Sequence, residues 1–441
     1  MKTDLIIIGS GPGGYETAVY AARQGLQVVV IEKKDVGGTC LNSGCIPTKA
    51  LVHDAENALG KDNGQALFQA AVQRKDGIVS NLRQGVEALM HQPDITLIQG
   101  KAAFRSKHSV VVGDEEIEAD HIIIATGSTA KLPPIPGLGS DGQPMSQHVV
   151  TSEELLACET LPSSLCIVGA GVIGMEMASV FSSFGCQVSV VEFMKDCLPT
   201  MDSEIARRLR KMMEKQGIRF FLGAAVQKIE DRLVVFKDVK KGVETSVEAD
   251  AILVATGRKP HVEGLNLEAV GIEHGKMGIV TNDNMQTNLG HIYAIGDVNG
   301  RQMLAHAATF QGYRAINHIL GKRDCIRLDI MPAAVFTRPE AASVGPTEEY
   351  CKGNGISFTA KKAIYRANGR AQAMEQTDGF VKLLFDNNDK IIACHVLGAD
   401  AASMVQEISA LMNLDVTRDQ LSAIVHIHPT LSEILLDAAR R

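Results

Sequence analysis

The chain has 441 residues, which is enough for about three domains of ordinary size. Its hydrophobic content of 45% and charged content of 22% are those of an ordinary globular protein. A formal net charge of −7 argues against a nucleic-acid-binding surface, and no apolar run reaches the roughly 18 residues that a membrane-spanning helix needs. Because a first strand from Leu5 leaves no room for a signal peptide, the sequence predicts a cytoplasmic protein.

The chain opens on an apolar strand that runs into a glycine-rich turn. Gly9, Gly11 and Gly14 form the pattern G-x-G-x-x-G. The first glycine makes a tight turn, the second lets the backbone approach a pyrophosphate, and the third lets the next helix pack on the sheet. That helix would offer free N–H groups and a positive dipole end to the phosphates. A second apolar strand ends at Glu32, whose carboxylate can accept hydrogen bonds from ribose hydroxyls.

The same arrangement recurs at Gly169, Gly171 and Gly174. Glu32 lies 23 positions after Gly9, and Glu192 lies 23 positions after Gly169. Each unit also closes on an apolar strand that ends in Ala-Thr-Gly. Two chance glycine-rich turns would not share this spacing, so the sequence predicts two homologous domains that bind two dinucleotides.

Two cysteines, Cys40 and Cys45, follow the first fingerprint, where a flavin ring is expected. Residues five apart in an ideal helix lie about 8 Å from each other, outside the usual Cα separation of roughly 4.4–6.8 Å in a disulfide. Gly44 and Pro47 are residue types that permit the irregular turn needed to close this gap. The other seven of the nine cysteines are scattered singly and are interpreted as buried hydrophobes.

A thiolate at Cys45 would be stabilised by the dipole of the helix that begins there, which would lower its pKa. Lys49 lies one helical turn further, where its cation could stabilise both the thiolate and a flavin ring. The spacing C-x4-C is also compatible with a zinc site. His426 and His428, however, form an H-x-H pair that is not the usual zinc pattern, and we predict no metal site.

Thiol–disulfide exchange needs a base that takes a proton from the incoming dithiol. Near the C-terminus, His428 is followed by a proline that can fix the backbone, as a cis bond. Glu433, five residues on, could hold the imidazole in one tautomer. Taken alone, this run is an ordinary helix start with Thr430 and Glu433 as a capping box, and both roles can hold together.

Together these motifs resemble the pyridine nucleotide–disulfide oxidoreductases nearly from end to end, and among them the members that oxidise dihydrolipoamide. The resemblance implies an α/β fold with two Rossmann-like dinucleotide-binding domains, for FAD and NAD, and a C-terminal α+β dimerisation domain. It implies a redox disulfide between Cys40 and Cys45, and a homodimer in which the other subunit supplies the base. The Pro- and Gly-rich run 131–144 is interpreted as the exit from the first domain. The implied divisions are 1–147 for FAD and the redox disulfide, 148–264 for NAD, 265–328 completing the FAD domain, and 329–441 for dimerisation.

The resemblance also assigns roles to single residues. Cys45 is the thiol next to the flavin, Cys40 exchanges with substrate, and His428 with Glu433 forms the base pair. The FAD positions are Gly9, Gly11, Gly14, Glu32, Gly38, Thr39, Lys49, Ala102, Thr126, Gly127, Ser128, Asp297, Leu304, Ala305 and His306. The NAD positions are Gly169, Gly171, Gly174, Glu176, Glu192, Val226 and Gly257. Glu176 is also expected to pair with Lys49 beneath the flavin.

Substrate preference follows from a few positions. Gly174 and Glu192 favour NAD, because a carboxylate repels the 2′-phosphate of NADP. The run from His428 to Glu433 has the form found in lipoamide enzymes, which implies a lipoyl-bearing carrier protein as partner. That carrier would belong to a 2-oxoacid dehydrogenase complex or to the glycine-cleavage system. The alternative is a related FAD- and NAD(P)H-dependent reductase of another disulfide or of a metal ion.

Overall fold

The computed structural model describes residues 1–139 and 145–441. Residues 140–144, the end of the interpreted domain exit 131–144, therefore lie outside the described residues. Within the two described ranges, no helix is long and apolar enough to cross a membrane.

The elements before residue 140 alternate strands and helices. They are β1 (Lys2–Ile8), α1 (Pro12–Arg23), β2 (Val28–Glu32), α2 (Gly38–Ser43), α3 (Cys45–Ala58), α4 (Gly64–Met90), β3 (Ile95–Gln99), β4 (Ala102–Phe104), β5 (Ser109–Val112), β6 (Glu115–Ile124) and β7 (Ser128–Ala130). The first strand thus begins at Lys2, three residues before the expected start at Leu5, because polar Lys2 and Thr3 already pair with β6.

The middle of the chain repeats this alternation and then adds a short hairpin. Its elements are β8 (Val149–Val150), α5 (Ser152–Ala157), β9 (Ser164–Val168), α6 (Val172–Ser183), β10 (Gln187–Glu192), α7 (Ser203–Lys215), β11 (Arg219–Leu222), β12 (Ala224–Glu230), β13 (Leu233–Asp238), β14 (Glu244–Glu248), β15 (Ala251–Val254), β16 (Arg258–Pro260), α8 (Leu267–Val270), β17 (His274–Gly275) and β18 (Gly278–Ile279).

The last third of the chain carries the remaining strands and helices. They are β19 (Ile292–Ala294), α9 (Ala305–Ile319), β20 (Ala333–Val335), β21 (Ala341–Val344), α10 (Glu348–Gly353), β22 (Thr359–Ile364), α11 (Gly369–Ala373), β23 (Phe380–Phe385), β24 (Ile391–Leu397), α12 (Ala401–Asn413), α13 (Arg418–Ala423) and α14 (Glu433–Arg440). Short 3₁₀ helices cover Gly296–Asn299 and Tyr365–Ala367.

The first sheet places β1 between β2 and β6, with the order β3-β2-β1-β6-β5-β4. The strands β3, β2, β1 and β6 run parallel. Strand β2, most of β1 and the end of β6 are buried on both faces, which explains their continuous Ile and Val runs. From much later in the chain, β19 returns to pair in parallel with β6. Helix α9 follows it and packs on α1 so closely that a Cβ on Gly312 would lie 3.0 Å from Cβ of Thr17. The chain after the second unit therefore completes the first.

The second unit has its own parallel sheet, in the order β11-β10-β9-β15-β8, and a three-stranded antiparallel sheet β12-β13-β14. An antiparallel pair between β7 and β16 joins the two units. The third unit is an antiparallel sheet in the order β20-β21-β24-β23-β22, whose core is shared with α12 and α14. The predicted fold class, two Rossmann-like units and a C-terminal α+β unit, is confirmed.

Candidate active site

The first glycine-rich turn is packed so tightly that side chains are excluded from it. Gly9 has φ +104°, and a Cβ there would lie 2.5 Å from the carbonyl oxygen of Ala125. A Cβ on Gly14 would overlap the carbonyl oxygen of Gly9. Gly38, at the start of α2, would bring a Cβ to 2.6 Å from Cα of Gly11. The turn leaves bare backbone at the start of α1, which fits a pyrophosphate.

The second turn has the same backbone and one difference. Gly169 has φ +109°, and a Cβ there would again lie 2.5 Å from a carbonyl oxygen, that of Ala255. A Cβ on Gly174 would overlap the carbonyl oxygen of Gly169. Around Gly171, however, a Cβ would meet nothing within 4 Å. We call each glycine-rich turn, with the helix that follows it, a dinucleotide cradle. The second cradle is more open than the first, where α2 covers the turn.

We expect Gly174→Ala to impair NAD binding while FAD stays bound, because its Cβ displaces the turn of the second cradle alone. The matched control is Gly85→Ala in α4, outside the cleft, where an added Cβ meets nothing within 4 Å. Titration of the purified protein with NADH should show that Gly174→Ala raises the Kd for NADH by at least about tenfold. The flavin content should be unchanged. Equal Kd values for the two variants would contradict this account.

The two acids at the strand ends brace their own cradles. Glu32 accepts hydrogen bonds from the backbone N–H and hydroxyl of Ser10, at 2.8 and 2.7 Å. Glu192 accepts from the N–H groups of Ala170 and Met194, at 2.6 and 2.7 Å. Both carboxylates are buried at the cleft edge. Their contact with ribose stays a prediction from the sequence.

The two cysteines lie on either side of a helix break. Cys40 is in α2, Cys45 is the first residue of α3, and Gly44 separates the helices. A Cβ on Gly44 would lie 2.8 Å from the carbonyl oxygen of Thr39, so this close turn requires glycine. Both cysteines are free in the structure, and the Cys45 side chain is exposed to the cleft. The break provides the distortion that the five-residue spacing demands.

The pKa values of the two thiols are shifted in opposite directions. The hydrogen bond from Cys40, together with the Lys49 cation, lowers the pKa of Cys45 to about 7 against the opposing effect of burial. The same hydrogen bond, followed by burial, raises the pKa of Cys40. Cys45 therefore carries the negative charge and Cys40 keeps the proton, as a thiolate donor beside a thiol requires.

We expect the reduced protein, freed of the flavin that would cover Cys45, to be alkylated by iodoacetamide at Cys45 with a rate that rises through a midpoint at about pH 7. The thiolate is the reactive form, so the rate falls as pH drops below this pKa. Mass mapping of the modified peptide checks which cysteine reacts. A midpoint near the ordinary thiol pKa of about 8.5, or preferred labelling of Cys40, would contradict the assignment.

Lys49 is held by a buried carboxylate. Its Nζ lies 2.9 and 2.8 Å from the two oxygens of Glu176, whose side chain is 5% exposed. Glu176 also accepts from the backbone N–H of Phe336 at 2.9 Å, and the Phe336 ring lies 4.6 Å from Lys49 Nζ. The cation is therefore fixed one turn from Cys45 by α6 and by the loop after β20. No sequence pattern indicated Phe336.

A second polar network lies at the junction of the two units. Asp297 accepts a hydrogen bond of 2.5 Å from the hydroxyl of Ser128, and burial raises the pKa of its carboxyl. Arg258 donates to the Ser128 hydroxyl at 2.7 Å and to its carbonyl at 2.8 Å. Sequence reasoning missed Arg258, although it follows the second Ala-Thr-Gly where Ser128 follows the first.

These groups surround one cleft with a volume of about 1810 Å³, larger than the 300–1,000 Å³ or so of a typical single-ligand pocket. The predicted residues that line it are Gly9, Gly11, Glu32, Gly38, Thr39, Cys40, Cys45, Lys49, Ala102, Thr126, Gly127, Ser128, Gly169, Gly171, Glu176, Glu192, Val226, Gly257, Asp297, Leu304, Ala305 and His306. Gly14 and Gly174 do not line the cleft. Both cradles and the thiols thus share one space that fits two dinucleotides.

His428 and Glu433 do not line this cleft. His428 Nδ1 lies 3.0 Å from a Glu433 oxygen, and the His428 side chain is 79% exposed. The bond from His428 to Pro429 is cis. The expected capping box is wrong, because the Thr430 hydroxyl donates to the carbonyl of Ile427 and α14 begins only at Glu433. Glu433 still accepts from the Thr430 N–H at 2.9 Å.

The fold and the site define an oxidoreductase that exchanges electrons between a thiol pair and two dinucleotides. A family model described as pyridine nucleotide-disulphide oxidoreductase matches residues 3–312, and the dimerisation-domain model of that family matches residues 331–439. The chain belongs to the pyridine nucleotide-disulphide oxidoreductase family. Membership confirms FAD and NAD as the cofactors, and the dimerisation domain supports a homodimer.

Curated relatives match along the whole chain. A mitochondrial dihydrolipoyl dehydrogenase of Pisum sativum is 37% identical, over 99% of this chain and 91% of its own length. Dihydrolipoyl dehydrogenase 3 of Haloarcula marismortui is 35% identical, over 100% of this chain and 96% of its own. Among solved structures, the HOCl-induced flavoprotein disulfide reductase RclA from Escherichia coli matches with a TM-score of 0.89 at 32% identity, covering 99% of each chain.

Proposed function

We propose that the protein is a homodimeric enzyme that oxidises a dihydrolipoyl group on a carrier protein and reduces NAD to NADH. The observation that carries the proposal is the thiol pair with a Cys45 pKa of about 7, open to a cleft with two dinucleotide cradles. The lipoyl substrate is supported by the curated relatives named dihydrolipoyl dehydrogenase. The cytoplasmic location stays a prediction from the sequence.

The sulfur chemistry begins from a Cys40–Cys45 disulfide. His428 takes a proton from one thiol of the substrate, and the resulting thiolate attacks Cys40 Sγ, releasing Cys45 as a thiolate. His428 releases this proton to solvent and takes the proton of the second substrate thiol, and the new thiolate attacks the substrate sulfur of the mixed disulfide. The lipoyl disulfide forms, and Cys40 leaves and takes a proton from His428. Two electrons have moved from the dithiol to the cysteine pair.

Other residues of the cleft would bind the cofactors and stabilise the negative charge on Cys45. Bound FAD supplies a two-electron relay between Cys45 and the nicotinamide of NAD. Lys49, fixed by Glu176, lies where it stabilises the Cys45 thiolate. Asp297 and Ser128 offer polar atoms for the flavin nucleotide, and Glu192 favours NAD over NADP by repelling a 2′-phosphate.

The base acts across the dimer in this proposal. His428 is outside the cleft of its own chain and is strongly exposed, while the neighbouring apolar residues Val425 and Ile427 are also exposed. An apolar exposed loop in a matched dimerisation domain is typical of a surface that a second copy covers. Each active site then combines the cysteines of one subunit with His428 and Glu433 of the other.

A comparison of substrates tests the proposal. Purified protein should form NADH from dihydrolipoamide and NAD with a kcat of about 1–1,000 s⁻¹. Oxidised glutathione with NADPH, and Cu(II) with NADH, serve as the competing reactions. Preference for either competitor by kcat/KM would reject the lipoyl substrate and favour a reductase of another disulfide or of a metal ion.

A further inference from the structure

His428 is carried by an exposed loop, residues 424–432, between α13 and α14; we name it the base loop. Val425 is 95% exposed and Ile427 is 80% exposed, so neither anchors the loop within its own chain. His426, whose side chain is 5% exposed, is the one turned inward among these neighbours. After His428, the loop is held by buried Leu431 and by a hydrogen bond of 3.0 Å from Asn368 to the Thr430 carbonyl. Before His428, its position depends on what holds His426.

Both ring nitrogens of His426 lie at hydrogen-bond distance from oxygens. Nε2 is 3.0 Å from Oε1 of Glu407, and Nδ1 is 3.0 Å from the carbonyl oxygen of Ile424. Glu407 belongs to α12, which packs on β21 and β24 through buried residues such as Met404 and Ile408. The contact ties the exposed base loop to the core of the third unit.

The chemistry of the partners fixes the hydrogen-bonding role of His426. A carbonyl oxygen and an ionised carboxylate only accept, so the His426 ring donates its N–H to one of these two oxygens. The contact with Glu407 joins a side chain that is 5% exposed to a carboxylate, and hydrogen bonds to ionised acceptors are the stronger kind of polar contact. The charged groups that face this ring are Glu407 from α12 and Glu433 from α14.

We propose that His426 is a positioning residue: its hydrogen bond with Glu407 fixes the base loop so that His428 meets the dithiol at the partner subunit's Cys40. The proposal rests on the proposed function, in which His428 is the base. Without the anchor, the segment before His428 can shift against Glu433, which α14 holds in place, and the imidazole leaves its position. A displacement on the order of 1 Å costs about 100-fold in rate.

The test compares Glu407→Ala with Glu407→Gln. We expect Glu407→Ala to lower kcat for dihydrolipoamide by about 10- to 100-fold, with KM and NADH-driven dye reduction within about twofold. Glu407→Gln should retain most of kcat, since its amide oxygen accepts the same hydrogen bond from His426. The matched control is Glu268→Ala, which removes a surface His–Glu contact of the same 3.0 Å length, to His274.

Several outcomes would overturn the positioning role. They are an unchanged kcat in Glu407→Ala, an equal loss in dye reduction, or a loss in Glu407→Gln as large as that in Glu407→Ala. His428→Gln, measured alongside, separates the two proposals. Full activity in His428→Gln rejects the base itself, whereas a loss there without any loss in Glu407→Ala rejects only the anchor.

Discussion

Cys45→Ser is expected to lose oxidation of dihydrolipoamide by at least about 10⁴-fold while FAD stays bound. A serine hydroxyl forms no disulfide with Cys40 and carries no negative charge near neutral pH, so electrons cannot pass from substrate to flavin. NADH-driven reduction of a dye should persist, because that path does not use the sulfur. The rates of NADH formation and of dye reduction by the same preparation give the comparison.

The matched control for this variant is Cys325→Ser, outside the cleft; the interpretation of Cys325 as a buried hydrophobe is wrong, because the structure exposes it. It should leave both activities intact. If Cys45→Ser kept its lipoamide activity, the cysteine pair would not be the electron path. The protein would then be an NADH oxidase or dye reductase whose flavin reacts directly, and the sulfur scheme would be wrong.

His428→Gln is expected to slow the sulfur half-reaction by roughly 10²- to 10⁴-fold, the usual range for loss of a general base. Glutamine keeps a polar side chain of similar length but cannot take the proton of the dithiol. Reduction of a dye by NADH should change little, because His428 does not line the cleft of its own chain. Stopped-flow mixing with each reductant separates the two half-reactions.

Mixed dimers show which subunit supplies the base. A dimer of one Cys45→Ser chain with one His428→Gln chain contains one intact site if the base comes across the interface. It should then show about half of the wild-type activity. If each chain used its own base, both sites would be damaged and the mixed dimer would be as inactive as its parents.

The glycine-rich turns and the thiol pair were predictable because their chemistry is local. At Gly14 and Gly174 a side chain would collide with backbone only five residues earlier. The five-residue spacing of Cys40 and Cys45 in the same way demanded a break, which Gly44 provides. Such constraints act between residues about five positions apart, and they directly restrict which residue types can occur there. The same holds for Glu32 and Glu192, which brace the turns that precede them.

Other parts of the site depend on contacts between distant segments, which leave no local pattern. Arg258 reaches Ser128 across 130 positions, and Phe336 reaches Glu176 across 160. The pair of Glu407 with His426 joins helix α12 to the base loop, and the packing of the third unit decides it. The predicted capping box is wrong for a different, local reason: the Thr430 hydroxyl donates to the carbonyl of Ile427 within the base loop. The residue assignments and domain boundaries implied by the resemblance stay predictions until variants are measured.

The most direct test of the central claim is a count of thiols before and after reduction. The purified, oxidised dimer is treated anaerobically with NADH or with dihydrolipoamide, then alkylated in denaturant, and the labelled peptides are identified by mass spectrometry. Our account predicts that either reductant exposes two additional thiols per subunit, and that these are Cys40 and Cys45. Reduction of the flavin without new thiols at these two positions would contradict it.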